Sequence, residues 1–316
     1  ILVDAALNLT QNSVITSGSG NVGLIAGGSL DQTSSGDITT GGDVLLEAGN
    51  AWTMAGDAVI TATGNVVGHV LSGDATLGLI NATNVGLTAS GSILDANLGS
   101  LNIAATDLSL VSETGLIGGA DSLNGNADQN VNALDIAVDS LAASSESGIY
   151  VSEADDLTIT LVDAVSVDVD SVVRVNFDST TSDVSEDQTR SSLEDLSTTV
   201  DGPIKLVSLA GSLTIDGGSD SVGVSAAGSG DVLIESRGAD SDVIIDGDVV
   251  SGSGNITLDA ANDLTVNAAV STAGSGVVYL VAGNDVSVND SLTTVAGDIL
   301  VDAALNLTQN SVITSG

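Results

Sequence analysis

The chain has 316 residues, 42 of them acidic against 4 basic, with 38 glycines, one proline, no cysteine and a formal net charge of −38. Yet 42% of residues are apolar, which excludes the apolar-poor composition of a plain disordered tail. So few cations cannot neutralise a phosphate backbone, no apolar run approaches the length of a membrane span, and without cysteine there is neither a disulfide framework nor a thiolate metal site.

The first eighteen residues, ILVDAALNLTQNSVITSG, return letter for letter at 299–316, an offset of 298 residues. Identity over such a length identifies one unit of a tandem array followed by the start of the next. The chain opens at Ile1 without a charged-then-apolar leader, so a targeting signal is expected outside this segment.

Beneath the long repeat lies a short one. From Gly20 (GNVGLIAGGSL) to Gly42 (GDVLLEAGNAW) and on to Gly64 the spacing is 22 residues. In each unit an opening Gly, usually followed by Asp or Asn, leads an alternating strand. Val22/Leu24/Ala26 and Val44/Leu46/Ala48 point to one side, Leu45/Glu47 to the other. Alternation with period 2 marks a strand buried on one face. About ten residues after the Gly comes a second apolar site (Leu30, Trp52), then a third (Ile38, Ile60).

From 84 to 173 the pattern survives only in pieces, LNIAATDLSL (101–110), LDIAVDSL (134–141) and IYVSEADDLTI (149–159), with a Gly- and Asn-rich excursion at 115–132. Residues 174–203 read as an acidic insertion, holding the only Pro and Phe and, over 187–197, a weak helical signal. Regular coils resume over 204–298. Gly230, Gly254, Gly276 and Gly297 open strands whose inward residues include Ile256/Leu258, Val278/Leu280 and Ile299/Val301. Thr257/Asp259, Tyr279/Val281 and Leu300/Asp302 point outward. The second site recurs as Leu264, Val286 and Leu307, the third as Val249, Val270, Leu292 and Val312.

Three short strands per ~22 residues with Gly, Asn, Asp and Ser at the corners describe an all-β, right-handed parallel β-helix. Regular coils are expected over 1–83 and 204–298, with loops inserted between and a new repeat at 299. At ~4.8 Å per coil one unit makes about 13 coils, a rod of roughly 60–65 Å. The corner glycines are expected to supply φ > 0.

Few residues offer chemistry. Thirteen acidic residues fall between Glu153 and Asp201, and Asp178, Asp183, Glu186 and Asp187 among them are the candidate Ca²⁺ ligands, since Ca²⁺ takes six to eight oxygens. The bland alternative is a solvated, self-repelling surface. Asp107, Asp156, Asp263, Asp285 and Asn306 each precede an inward residue, where corner capping of a backbone N–H competes with cation binding. Trp52 reads as a core filler, Tyr279 as an outward residue, and the sole histidine, His69, as structural. A catalytic site is not expected.

The units 42–64 and 254–276 resemble coils of the filamentous-haemagglutinin type, found in very large bacterial surface exoproteins. That resemblance implies a secreted, surface-displayed right-handed β-helix rod. The function expected from the identical units is a structural segment of an extracellular fibre: stalk, sheath or matrix filament. The alternative is an adhesin rod binding through lateral loops, although no Arg-Gly-Asp tripeptide occurs. The expected partners are identical repeats stacked head to tail and lateral filament neighbours, with no nucleic acid and no membrane span.

Overall fold

The computed structural model describes residues 1–120 and 130–316, apart from the side chains of 170 and 171. The Gly- and Asn-rich stretch expected at 115–132 therefore lies, at 121–129, outside the described residues. The chain winds as a parallel β-solenoid, and the described residues contain strands but no helix.

Three ladders of parallel strands form the walls. The first starts at Leu2–Ala5 and rises through Val22–Ala26, Val44–Ala48, Val66–Val70 and Asn84–Ala89. It passes through the second halves of Ile103–Ser112 and Leu134–Ser145 to Leu196–Thr198, and ends at Ile313–Thr314. The second starts at Leu9–Gln11, crosses the middle on Ile93, Ile117 and Ile149, and ends at Ile299–Ala303. The third starts at Ile15–Ser17 and ends at Leu307–Gln309.

These endpoints carry a shift that the sequence conceals. Ile299–Ala303 has the sequence of Leu2–Ala5 and its neighbours, yet it closes the second ladder rather than the first. The copies of the second and third strands close the third and first ladders. One 298-residue unit thus winds a non-integral number of coils, and its copy begins one face further round. The same shift separates residues in equivalent places of their coils: Trp52 lies on the second ladder, whereas Leu264 and Val286 lie on the third.

One continuous apolar core fills the tube. Val44 and Leu46 stack on Val22 and Leu24. Ile256, Val278 and Ile299 form one rung line, and Leu258, Leu280 and Val301 the next. Leu264, Val286 and Leu307 form a third. Leu307 is half exposed because no coil lies above it. At the third site of the last coil the residue packed against the core is Ile313, not Val312, whose carbonyl instead accepts the amide of Leu292. Trp52 is buried, and a Cβ on Gly68 in the next coil would come within 2.8 Å of its ring. A missing side chain above makes room for the largest one below.

The glycines that open coils act by close approach rather than by backbone freedom. Positive φ occurs at Gly73, Gly99, Gly118, Gly148, Gly218 and Gly228, and at none of the opening glycines. A Cβ on Gly254, Gly276 or Gly297 would instead overlap the carbonyl oxygen of the glycine one coil below. Corners packed directly on one another leave no volume for a side chain.

The sideways excursion begins before 174. The chain bridges Val162 to Leu193 and between them forms an antiparallel hairpin of Val165–Val175 and Thr181–Arg190. The helix signal over 187–197 is overruled: Asp187–Arg190 pairs with Val165–Asp168, and Leu196–Thr198 is already back in the first ladder. Val165, Val167 and Val169 fall within the 84–173 stretch of irregular coils, and their period-2 alternation, shared by every half-buried strand, does not set them apart from it.

Candidate functional site

Two places concentrate what the chain offers: the outer face covered by the hairpin, and the two ends of the stack.

The hairpin folds back along the tube over the first ladder. Val165, Val167 and Val169 bury against outward-facing Leu45 and Val67, with Leu2 at the margin. A Cβ on Gly86 would meet Val165 at 3.2 Å and one on Gly23 would meet Val169 at 3.2 Å, so glycine on the outer row is what lets the hairpin lie close. The Asn21 and Asn65 amides donate to the carbonyls of Asp168 (2.6 Å) and Ser166 (3.1 Å), and Gln188 Nε2 donates to Glu47 Oε2 at 3.0 Å. Leu45 and Glu47 do point outward, but the hairpin removes Leu45 from water.

Under this cover His69 Nδ1 lies 3.9 Å from Glu47 Oε2 and is buried without a hydrogen-bond partner among the described residues. Burial, aided by the Arg190 charge, pushes its pKa below the usual histidine range, against the opposing pull of Glu47 and Glu113. A cavity of about 250 Å³ opens at the hairpin's base, with Thr88, Ser109, Val111, Thr189, Arg190 and Leu193 among its lining residues. The Glu47 carboxylate beside the imidazole is the group that accepts from Gln188 of the hairpin.

The four candidate Ca²⁺ ligands lie on the hairpin without converging. Asp178 accepts from the amide and hydroxyl of Thr180 at the turn (3.0 and 2.6 Å). Asp183, Glu186 and Asp187 face Val173, Val169 and Asp168 across the hairpin. No group of three or more metal-binding side chains forms among the described residues.

The corner residues have a defined task. Asp242 Oδ1 accepts the amide of Asp263 (3.0 Å), Asp263 Oδ1 that of Asp285 (3.1 Å), and Asp285 Oδ1 that of Asn306 (3.0 Å). Asp156 does the same for Ser212. Each carboxylate caps a backbone N–H in the next coil, so the caps form ladders of their own. Residue spacing signalled the cap but not that its partner lies one coil away.

At the ends, the duplicated segment is seen from both sides. As residues 1–18 it offers its upper edge: Val3 pairs with Leu24, Leu9 with Leu30 and Ile15 with Ile38. As residues 299–316 it offers its lower edge: Val301 pairs with Leu280, Leu307 with Val286 and Ile313 with Leu292. Polar contacts follow suit. Asn306 Nδ2 donates downward to Asp285 (2.8 Å), while its copy Asn8 accepts from the amide of Ser29 above (3.0 Å). Gln11 Oε1 accepts from Gln32 Nε2 (3.1 Å), and Gln32 Oε1 accepts from the Trp52 indole (2.9 Å). This buried polar line begins in the duplicated coil; neither Gln11 nor Gln32 was singled out from the sequence.

No described helix is long and apolar enough to cross a membrane. Comparison with protein-family models, curated proteins and solved structures finds no match.

Proposed function

We propose that the chain is one unit of a tandem β-solenoid that serves as a load-bearing or spacing rod, a structural segment of an extracellular fibre of the filamentous-haemagglutinin-like kind. One observation carries this reading: a single 18-residue sequence is paired through its lower edge at one end of the chain and through its upper edge at the other. Each coil needs a neighbour above and below to satisfy its strand edges. The duplicated coil fits between Val278–Ala282 and Val22–Ala26 with all three rung lines in register.

The face shift adds a geometric consequence. If the copy starts one face further round, consecutive units are rotated by one side of a three-sided coil, about 120°. Lateral features of successive units then trace a spiral that closes every third unit.

The reading assigns no catalysis. The adhesin alternative has less support, because the base of the excursion that would serve as its contact element is packed on the chain's own coils. Electron microscopy of a chain of six or more units tests the proposal. Straight rods with a rise per unit of roughly 55–65 Å, at ~4.8 Å per coil, are expected. Beads separated by flexible gaps would overturn it.

A further inference from the structure

We propose that the Val165–Arg190 hairpin is a clasp that reaches across the seam between units and grips the outer face of the preceding copy. This rests on the stacked-array reading above. The hairpin runs down the tube, over Gly86, then Val67 and Leu45, then Gly23 and Leu2, and Leu2 belongs to the first coil. The strand does not stop there: paired residues continue from Val172 with Val184 to Val175 with Thr181. That second half overhangs the end of the stack: on its tube-facing side Arg174 and Ser182 are exposed and Val184 is 37% exposed.

What would lie beneath the overhang follows from the duplicated coil. The outer row Leu2–Gly23–Leu45–Val67–Gly86 is continued, across a seam in which Leu300 takes the place of Leu2, by Leu300–Tyr279–Thr257–Leu233. The adjacent outer row there is Asp302–Val281–Asp259–Glu235. Between Val169/Glu186 and Val172/Val184 the pairing slips by one residue. The side of the hairpin that faces the tube therefore passes from Val165, Val167 and Val169 to Val172 and Arg174.

A strand advances about 6.6 Å per two residues and coils are spaced by ~4.8 Å, so each such step covers between one and two coils. Counting down from Val169 at Gly23, Val172 and Val184 arrive over Leu300 and Tyr279, and Arg174 arrives beside Thr257 and Asp259. The match is apolar on apolar, then cation on anion. Arg174 is exposed, whereas Asp259 is a half-buried carboxyl whose pKa burial and neighbouring Glu235 raise against the pull of Arg237. Glu235 is already held by the Arg237 guanidinium at 2.7 and 3.0 Å, so Asp259 is the carboxyl that Arg174 would meet.

The chain's lack of cysteine makes the test direct. In a two-unit chain, residues 1–298 followed by residues 1–316, Asp259→Cys goes into the first unit and Arg174→Cys into the second. Mild oxidation should close a disulfide in most molecules, and moving the second cysteine to the far side of the hairpin, Val173→Cys, should cut the yield at least fivefold. Hydrogen exchange at the seam separates the two ideas. Protected seam amides without the cross-link overturn the clasp and leave the stack intact. Unprotected seam amides overturn the stacked array, and the clasp with it.

Discussion

The coils from Ile204 onward and the middle stretch from Leu134 to Asp195 handle the same excess of acid in opposite ways. In the later coils the carboxylates stand at corners, each accepting a backbone amide of the next coil while staying in contact with water. In the middle three of them go inside. Glu153 is fully buried and accepts from the amides of Val138, Ala154 and Asp155, and burial pushes its pKa up to about 8. Asp195 is raised to about 7 by burial and by Asp220 and Glu194, and Asp135 to about 6 chiefly by burial. A charge at a corner reinforces the ladder; a charge inside must be neutralised by a proton. Three raised carboxyls fall in the middle, against Asp259 in the later coils, so the stronger pH response is expected of the middle.

The largest expected effect lies in a regular coil. Trp52→Ala removes the ring beneath Gly68 and leaves the Gln32 acceptor without its indole partner, for a loss of about 3–5 kcal/mol, measured by denaturant unfolding. Gly68→Ala in the same background should recover part of it, because the ring 2.8 Å away is gone and only the end of the Leu87 side chain, at 2.7 Å, must shift. A failure of that rescue would show that shape rather than volume governs this coil.

Next in size is the pH response of the middle. Glu153 has a higher pKa folded than unfolded, so the folded state holds the extra proton between about 4.5 and about 8. Its contribution is fully present below the unfolded value and is lost as pH rises through the folded one, with a slope of up to about 1.4 kcal/mol per pH unit. Glu153→Gln should flatten the decline in stability between about pH 4.5 and about pH 8. An unchanged profile would move the dependence to Asp195.

The smallest effect probes the corner ladder. Asp263→Ala should cost about 1 kcal/mol by leaving the Asp285 amide without its acceptor. Asp263→Asn, which keeps the acceptor oxygen as Asn8 does, should cost a few tenths at most on the same hydrogen-bond scale. Equal losses would mean that charge, not the hydrogen bond, matters at the corner.

Much of the fold was legible because a coil states its own pattern. Val278, Leu280 and Ala282 alternate, Gly276 precedes them, and Asp285 marks the next corner. Each signal is local and is repeated by the neighbouring coil. The hairpin was not legible in the same way. Its valines alternate like any coil strand, and only the glycines at 23 and 86, on an outer row where nothing else required them, hinted that something covers that face.

From its residue order alone the chain determined a wound parallel tube, the coil length in its regular parts and the identity of its repeating unit, because period-2 burial and corner chemistry act over a few residues. Tertiary structure alone decided which face each coil continues, where the excursion lies and which acids lose their charge. Those outcomes depend on the summed length of every coil and on contacts between residues more than a hundred positions apart, such as Asn21 with Asp168, and no local pattern encodes such sums.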